Sequence, residues 1–372
     1  MYVNNGKISS RQTFRLYVFD LMGIASLLLP PYLAKLCGVD GIWAILLGTG
    51  AGVLYLLYLG WIMKYMQMDA CTYLREHTGG VFRFIVLGVI WIHSIITAGF
   101  CAYVFSNLMQ YTLVKESKFG IVLFVIVLVS IYAVSGGIES RARVYEVLFF
   151  PVLIPYIAMM LATIKDFEFV YVKDLFHVSA GQLMKGSYLV FLFLTPLFFS
   201  LFLIGEKEKN YGKNVVKTIL CSIVLSAIIL FFSYVLLIGN FGENALATMR
   251  FPVVTIMSTI QFKGNFLKRM DALMLGVWFF TLYALLNLHL HYGVLLAKEL
   301  ASKDNGGKKE RKTKGWQLIV PAVLVFVVAY MLQQYRGSLV LFLDYYAYFA
   351  VPMMFVLPIV FVIVGRKNES TC

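Results

Sequence analysis

Six polar residues stand at helical spacing inside two long apolar stretches of this sequence. They are His93, Ser94 and Thr97 in the first stretch and Tyr283, Asn287 and His291 in the second. Residues four positions apart lie on one face of a helix, so each set could present imidazole, hydroxyl or amide groups to a small polar ligand. The same groups could equally make hydrogen bonds between packed helices, which contribute about 0.6–2 kcal/mol each in membranes. The sequence leaves both interpretations open.

Asp20 is an acidic residue deep inside another apolar stretch. It lies roughly a third of the way along residues 12–37, and a carboxylate at the centre of a membrane costs about 3 kcal/mol. Such a group could bind a substrate amine, a proton or a cation, or it could pair with a basic residue such as Arg141. Because of its depth, we predict that Asp20 acts in ion or proton coupling.

Other ionisable residues have simpler explanations. Glu146 and Asp271 are predicted to lie in the first turns of helices, where a negative charge complements the helix dipole. Lys35 stands near the end of an apolar stretch and could extend its amine to the membrane surface. The basic run at 308–314 could contact anionic lipid, or it could simply fix the orientation of a loop.

Enzyme and metal signatures are missing from the sequence. It contains no H-E-x-x-H, no G-x-S-x-G and no Walker loop, and its five cysteines are scattered without a C-x-x-C spacing. An acyltransferase reaction at His93 is the one enzymatic alternative. We therefore predict a protein that is not an enzyme and that carries neither a cofactor nor a metal.

The composition is that of a polytopic membrane protein. Hydrophobic residues make up 60% of the 372 residues and charged residues 14%, whereas a soluble globular chain has about 25% charged residues. The mean hydropathy is +0.82. In such a protein the net charge of +13 is typical of cytoplasmic loops. We predict no nucleic-acid partner.

Ten apolar runs are long enough to cross a bilayer as helices. We call them spans 1 to 10, and they are residues 12–37, 41–63, 81–111, 119–136, 142–164, 183–205, 215–239, 269–297, 316–334 and 338–364. The first run lacks a signal-peptide cleavage pattern and should be retained. With the N-terminus inside, the inner segments hold about two thirds of the 32 Lys and Arg residues. This asymmetry predicts that both termini are cytoplasmic.

Two of these spans contain residues that interrupt helices. In span 1, Gly23 and Ser26 precede Pro30 and Pro31, so we predict a helix that stops near Gly23 and restarts near Ser26. In span 6 the predicted break is at Thr195 and Pro196. Backbone groups left unpaired at a break must face a cavity, a ligand or packed protein, and many transporters build their binding sites in this way.

The prolines also indicate an internal repeat. Seven of the nine prolines fall in the first and last spans of two five-helix halves: Pro30, Pro31, Pro151, Pro155, Pro196, Pro352 and Pro358. The loop after the second span of each half is unusually long and carries a short amphipathic stretch, at 69–79 on the inside and at 243–262 on the outside. Because five is odd, the second half would be inverted in the membrane. We predict one transmembrane domain, 1–372, made of inverted repeats at 12–164 and 183–364.

Four segments together resemble the endospore germination permease family, within the amino acid-polyamine-organocation superfamily. They are KISSRQ at 7–12, GIASLLLP at 23–30, FKG at 262–264 leading to Arg269 and Trp278, and DYYAY at 344–348. Members are the B subunits of nutrient germinant receptors. The resemblance implies a leucine-transporter-like fold in the spore inner membrane, A-type and lipoprotein C-type partner subunits, and a ligand pocket between helices 1, 3, 6 and 8.

The resemblance carries over to Gly23, Ile24 and Ala25, and the other pocket positions rest on the residue patterns above. The full predicted substrate-binding set is Gly23, Ile24, Ala25, Ser26, Ser94, Thr97, Thr195, Tyr283 and Asn287. The sequence departs from the superfamily pattern in two places: Ala25 stands where glycine is frequent, and Thr195-Pro196 replaces a glycine-rich turn. The ligand is therefore an amino acid or another small nutrient.

Two functions from different classes follow. The chain could be a receptor subunit that binds a nutrient in the bilayer and triggers spore germination through its partners. It could instead be a proton-coupled amino-acid transporter. Fold alone does not separate these functions.

Overall fold

The computed structural model of the chain describes residues 8–173, 175–203, 215–258, 270–301 and 314–369. These residues form α-helices joined by short turns and 3-10 segments, without a β-strand among them. The helices are α1 Ser10–Cys37, α2 Gly41–Met66, α3 Ala70–His77, α4 Gly80–Thr112, α5 Phe119–Ser135, α6 Gly137–Ala162, α7 Ala180–Leu192, α8 Val215–Thr248, α9 Pro252–Ser258, α10 Met270–Leu300, α11 Gly315–Gln334, α12 Ser338–Tyr345 and α13 Val351–Glu369.

Each predicted span corresponds to helical structure. Eight stretches are long and apolar enough to cross a membrane, and one of them, Ser10–Met66, contains both α1 and α2. The remaining span is α5, which is apolar but has only 17 residues, the lower limit for a crossing of roughly 17–25 residues. Span 10 is α12 and α13 joined by a π-helical segment, Tyr346–Ala350. The prediction of an all-α polytopic membrane protein is confirmed.

The predicted break in span 1 is wrong, because α1 is continuous from Ser10 to Cys37. Glycine and serine each weaken a helix by only about 0.5–1 kcal/mol, and every residue from 16 to 31 is buried against other helices. The Ser26 hydroxyl donates to the carbonyl of Met22 at 2.6 Å, inside the helix. Pro30 and Pro31 lie about three quarters of the way along the helix and remove two backbone donors there without ending it.

The predicted break in span 6 is present. Helix α7 ends at Leu192, and a 3-10 segment, Thr195–Phe202, follows it. Pro196 lies in the first turn of that segment, where a missing N–H is tolerated. The Thr195 hydroxyl donates to the carbonyl of Leu192 at 2.8 Å and so satisfies one carbonyl that the interrupted helix leaves open.

The packing of the helices follows the two halves of the chain. Helix α1 packs along α8, α2 packs along α7, and α4 packs along α10. In span numbers these pairs are 1 with 7, 2 with 6, and 3 with 8. If each span is replaced by its counterpart five spans away in the other half, the pair 1 with 7 becomes 6 with 2, and the pair 3 with 8 becomes itself. The packing therefore has the symmetry of a repeat. The boundaries of the repeats, 12–164 and 183–364, stay a prediction.

Short elements complete the ends of the bundle. The predicted amphipathic stretch at 69–79 contains α3, which Asp69 caps by accepting from the Thr72 N–H at 3.0 Å. Helix α8 bends at Gly242, whose φ of 71° is in the left-handed region. The motif at 262–269 and residues 308–313 of the basic run lie outside the described residues, as does Lys7.

Glu146 does not have the predicted place in a first turn. Helix α6 begins at Gly137, nine residues earlier than Glu146, so the carboxylate is too far along the helix to act on its dipole. Instead, Glu146 holds the N-terminal end of α1. Its carboxylate accepts from Gln12 Nε2 at 2.8 Å and pairs with Arg11 at 2.5 Å. The side chain of Asp271 is outside the described residues.

Candidate functional site

A small cavity lies where α1, α4, α10 and α12 meet the interrupted span 6. We call it the central pocket; its volume is about 30 Å³. Its polar side chains are Thr97, Thr195, His289 and Tyr346, and its apolar wall includes Ile24 and Phe342. A cavity needs about 10–15 Å³ to hold one water molecule, so the central pocket has room for roughly two.

His289 is the side chain in the central pocket whose polar atoms are best placed to meet a ligand. It is 1% exposed, and neither ring nitrogen has a hydrogen-bond partner among the described residues. Its neighbours are the rings of Phe199 and His93, with centroids 5.2 and 5.8 Å away. Buried polar groups are normally hydrogen-bonded because an unmet bond costs about 1–3 kcal/mol. A polar ligand or water in the central pocket would remove that cost.

The other polar groups of the central pocket bind one another or the backbone. The Tyr346 hydroxyl donates to the Thr97 hydroxyl at 3.1 Å, which joins span 10 to α4. One turn earlier on α4, His93 Nδ1 lies 3.0 Å from the hydroxyl of Tyr345. His93 and Thr97, which lie on one face of α4, therefore both contact span 10. Ser94 faces elsewhere and donates to the carbonyl of Ile90 in its own helix at 2.9 Å.

Asp20 forms an ion pair with Arg141, and both side chains are almost completely buried, at 0% and 5% exposed. The guanidinium also donates to the carbonyl of Ala284 at 3.1 Å and lies over the ring of Tyr145. Arg141 thus ties α6 to α1 and α10. This pairing is one of the alternatives that the sequence left open for Asp20, and its role in ion or proton coupling stays a prediction.

A second cavity, the inner cavity, lies beside this ion pair between α5, α6 and α10. Its volume is about 350 Å³, and its lining includes Arg141, Tyr283, Asn287 and His291. The Tyr283 hydroxyl donates to the carbonyl of Val129 on α5 at 2.9 Å. The stripe predicted on span 8 is therefore real, since its three residues line one cavity, but that cavity is not the central pocket.

The residues predicted in span 1 also divide between different surroundings. Ile24 lines the central pocket, whereas Ala25 and Ser26 line a separate cavity of about 20 Å³ that faces α2 and α8. Gly23 lies against α10, where a Cβ atom would stand 2.6 Å from the carbonyl oxygen of Thr281. Of the predicted substrate-binding residues, the structure brings Ile24, Thr97 and Thr195 together.

His289 was missed by the sequence reasoning for a geometric reason. His289 is two residues from Asn287 and two from His291, so it projects from the side of α10 opposite to those two residues. The stripe that the i, i+4 rule selects therefore excludes it. Leu285 and His289 are themselves four residues apart and both line the central pocket. The helical spacing therefore connects His289 to the pocket, but its partner at that spacing is the apolar Leu285, so the pair does not stand out as a polar face.

Comparison with known proteins gives one family over most of the chain. A family model described as spore germination protein matches residues 7–338. Spore germination protein A2 of Bacillus subtilis (strain 168) is 20% identical over 98% of this chain and 97% of its own length. Spore germination protein B2 of the same organism is 23% identical over 73% of this chain and 74% of its own length.

Solved structures with the same fold are transporters. A substrate-bound, outward-open Na⁺-coupled sialic acid symporter superposes with a TM-score of 0.67 at 11% identity, covering 95% of this chain and 79% of that chain. A nucleobase-cation-symport-1 family transporter, closed with bromovinylhydantoin bound, gives a TM-score of 0.64 at 12% identity over 91% and 75%. These likenesses establish the leucine-transporter-like fold and do not extend to a substrate.

Proposed function

The chain belongs to the spore germination protein family, and from this premise we propose that it is the membrane subunit of a nutrient germinant receptor. It binds a small nutrient of the amino-acid class within the bilayer and, through that binding, triggers spore germination. The A-type and lipoprotein C-type subunits are its proposed partners. The proposed location is the spore inner membrane, with both termini on the cytoplasmic side.

The central pocket carries this proposal. It lies between α1, α4, α10 and the break in span 6, which is where the family resemblance implies a ligand site. Its wall offers an imidazole with two unused nitrogens at His289 and a pair of hydroxyls at Thr97 and Tyr346. Such groups suit the amine and carboxylate of an amino acid, since hydrogen bonds to charged groups contribute about 1.5–3 kcal/mol.

The small volume of the central pocket supports a role in signalling. At about 30 Å³, the pocket is too small for an amino acid, which has at least five non-hydrogen atoms. Binding therefore requires the side chains that line the pocket, which include Phe193 and Phe342, to move apart. A ligand that fits only an expanded pocket shifts the protein toward that state. That shift is the event we propose is passed on to the partner subunits.

A proton-coupled transporter is the second candidate, because two observations favour it. The fold is shared with symporters, and a buried carboxylate at Asp20 lies on α1. Uptake of labelled amino acids into proteoliposomes, measured with and without a pH gradient, separates the two candidates. The receptor proposal expects no accumulation above protein-free liposomes, whereas accumulation that follows the pH gradient would favour the transporter.

His289 gives the test of the central pocket itself. Spores with His289→Gln, which keeps a similar volume, should need roughly tenfold more amino acid to germinate at matched protein level, as expected for about 1.4 kcal/mol of lost binding. The control is His77→Gln on α3, a histidine stacked on Tyr73 far along the chain from the pocket. An unchanged dose response in His289→Gln would show that the ligand does not bind there.

A further inference from the structure

A third cavity, the outer cavity, opens at the end of the bundle away from the chain termini. Its volume is about 380 Å³, more than ten times that of the central pocket. The second half of α1, the end of α4, the chain between α8 and α9, and the start of α12 form its walls. By the predicted topology, this end of the bundle faces away from the cytoplasm.

The outer cavity is lined by cations and by no acid. Lys35, Arg250 and Arg336 lie in its wall, and its lining residues include no Asp or Glu. None of the three cations forms an ion pair with a carboxylate among the described residues. The N-terminal end of α12, which carries partial positive charge from the helix dipole, lines the same space. The cavity is therefore positively charged on several sides.

Arg250 is held in position by buried side chains. Its Nη2 donates to Asn107 Oδ1 at 3.0 Å, and Asn107, which is 8% exposed, in turn donates to Gln333 Oε1 at 3.1 Å. The guanidinium also lies over the ring of Phe251, 5.4 Å from its centroid. A neutral amide orients the guanidinium without cancelling its charge. The remaining donors of Arg250 stay available to a bidentate acceptor such as a carboxylate or phosphate.

We propose that the outer cavity is a binding site for an anion that carries a carboxylate or phosphate group. The anion is held by Arg250 and Arg336, with Lys35 adding charge from α1. It joins the chain between α8 and α9 to the start of α12, so its binding holds these segments together at the outer end of the bundle. This site is separate from the central pocket, and the proposal does not depend on which nutrient binds there.

The test measures anion-dependent stability of the full chain in nanodiscs of phosphatidylcholine. The apparent Tm is followed against inorganic phosphate or succinate, with chloride at equal ionic strength as reference. We expect a saturable rise in Tm that Arg250→Gln combined with Arg336→Gln moves to roughly tenfold higher anion concentration. The matched control combines Lys173→Gln with Lys185→Gln, which removes two exposed positive charges elsewhere and should keep the parent response.

A second arm identifies the source of the anion. If phosphatidylglycerol in the nanodiscs raises Tm while the soluble anions do not, and the Arg250/Arg336 variant abolishes that rise, the anion is a lipid headgroup and the site stands. Phosphate also stabilises proteins generally by exclusion from their surfaces. A rise of equal size in the parent and in the Arg250/Arg336 variant, or no rise with any anion, would overturn the proposal. Either result would leave the germination test of His289 unaffected.

Discussion

Phe100 and Phe342 stack face to face, with ring centroids 3.5 Å apart and an interplanar angle of 5°. Phe100 lines the outer cavity and Phe342 lines the central pocket. The two rings come from α4 and α12, and together they form the wall between the two spaces. Stacked aromatic pairs contribute about 0.5–1.5 kcal/mol beyond the area they bury, so the stack adds to the cost of opening this wall.

The stack should control access from the outer cavity to the central pocket. Cys101 lies in the wall of the central pocket and is fully buried. In a chain without the other four cysteines, Phe342→Ala should raise the rate of Cys101 labelling by an external, membrane-impermeant thiol reagent roughly tenfold, the effect of about 1.4 kcal/mol on opening. Phe355→Ala removes a ring that lines neither cavity and is the control. Equal labelling rates in both variants would mean that the reagent reaches Cys101 by another route.

Gly23 should be required for the contact between α1 and α10. An alanine Cβ there would meet the Thr281 carbonyl at 2.6 Å, a distance that forces the two helices apart. We expect Gly23→Ala to lower the apparent Tm of the purified protein by several degrees, because the contact is with backbone that cannot rotate away. The control is Gly50→Ala in α2, where a Cβ meets nothing within 4 Å. It should be neutral or slightly stabilising, and a Gly23→Ala protein as stable as this control would contradict the close approach.

The topology gives a prediction that depends only on the loops. Single cysteines at Glu168 and at Asn305, in a chain without native cysteines, should react with an impermeant reagent from opposite sides of the membrane. The physical reason is the excess of Lys and Arg around 298–314 compared with 165–182. Replacing the exposed Glu76 by cysteine, which the same topology puts on the cytoplasmic side in the 69–79 loop, supplies a second inner reference. Labelling of 168 and 305 from the same side would exclude the ten-span arrangement.

Much of the fold could be predicted from the sequence because membrane-spanning helices are recognisable by their length and hydropathy. The break at Thr195 could also be predicted, because the following Pro196 has a fixed φ angle and no backbone N–H to continue the helix. The continuity of α1 could not be predicted, because the conformation at Gly23 and Ser26 depends on the helices packed around them. Propensity differences of about 1 kcal/mol are easily outweighed by burial of this extent.

The sequence predicted which residues of the candidate site share a helix face, but not which residues share a cavity. Helical spacing correctly put Tyr283, Asn287 and His291 on one face of α10. Which face meets α1 and which meets α5 is decided by how the helices rotate against each other, and that depends on packing throughout the bundle. The same limit applies to Ala25, which is adjacent to Ile24 in the chain yet lines a different cavity.

The pair of Asp20 and Arg141 provides the last prediction, because single and double substitutions separate its structural role from a coupling role. Removing one member of a buried ion pair leaves an uncompensated charge and costs about 3–5 kcal/mol, so Asp20→Asn and Arg141→Gln alone should each greatly reduce the amount of folded protein. The double variant should recover most of it. The exposed pair of Lys165 and Asp166 is the control, where Asp166→Asn should cost less than about 1 kcal/mol.

The dose response of the double variant then decides the function of Asp20. If the pair only joins α1 to α6, spores with Asp20→Asn and Arg141→Gln should respond to the same nutrient concentration as the parent at matched protein level. A response shifted by several-fold at matched level would mean that the charge itself takes part in coupling. Arg141 donates to the carbonyl of Ala284, next to Leu285 in the wall of the central pocket. A charge change at Asp20 therefore has a short path through Arg141 to the ligand site, and the double variant measures how much of that path depends on charge.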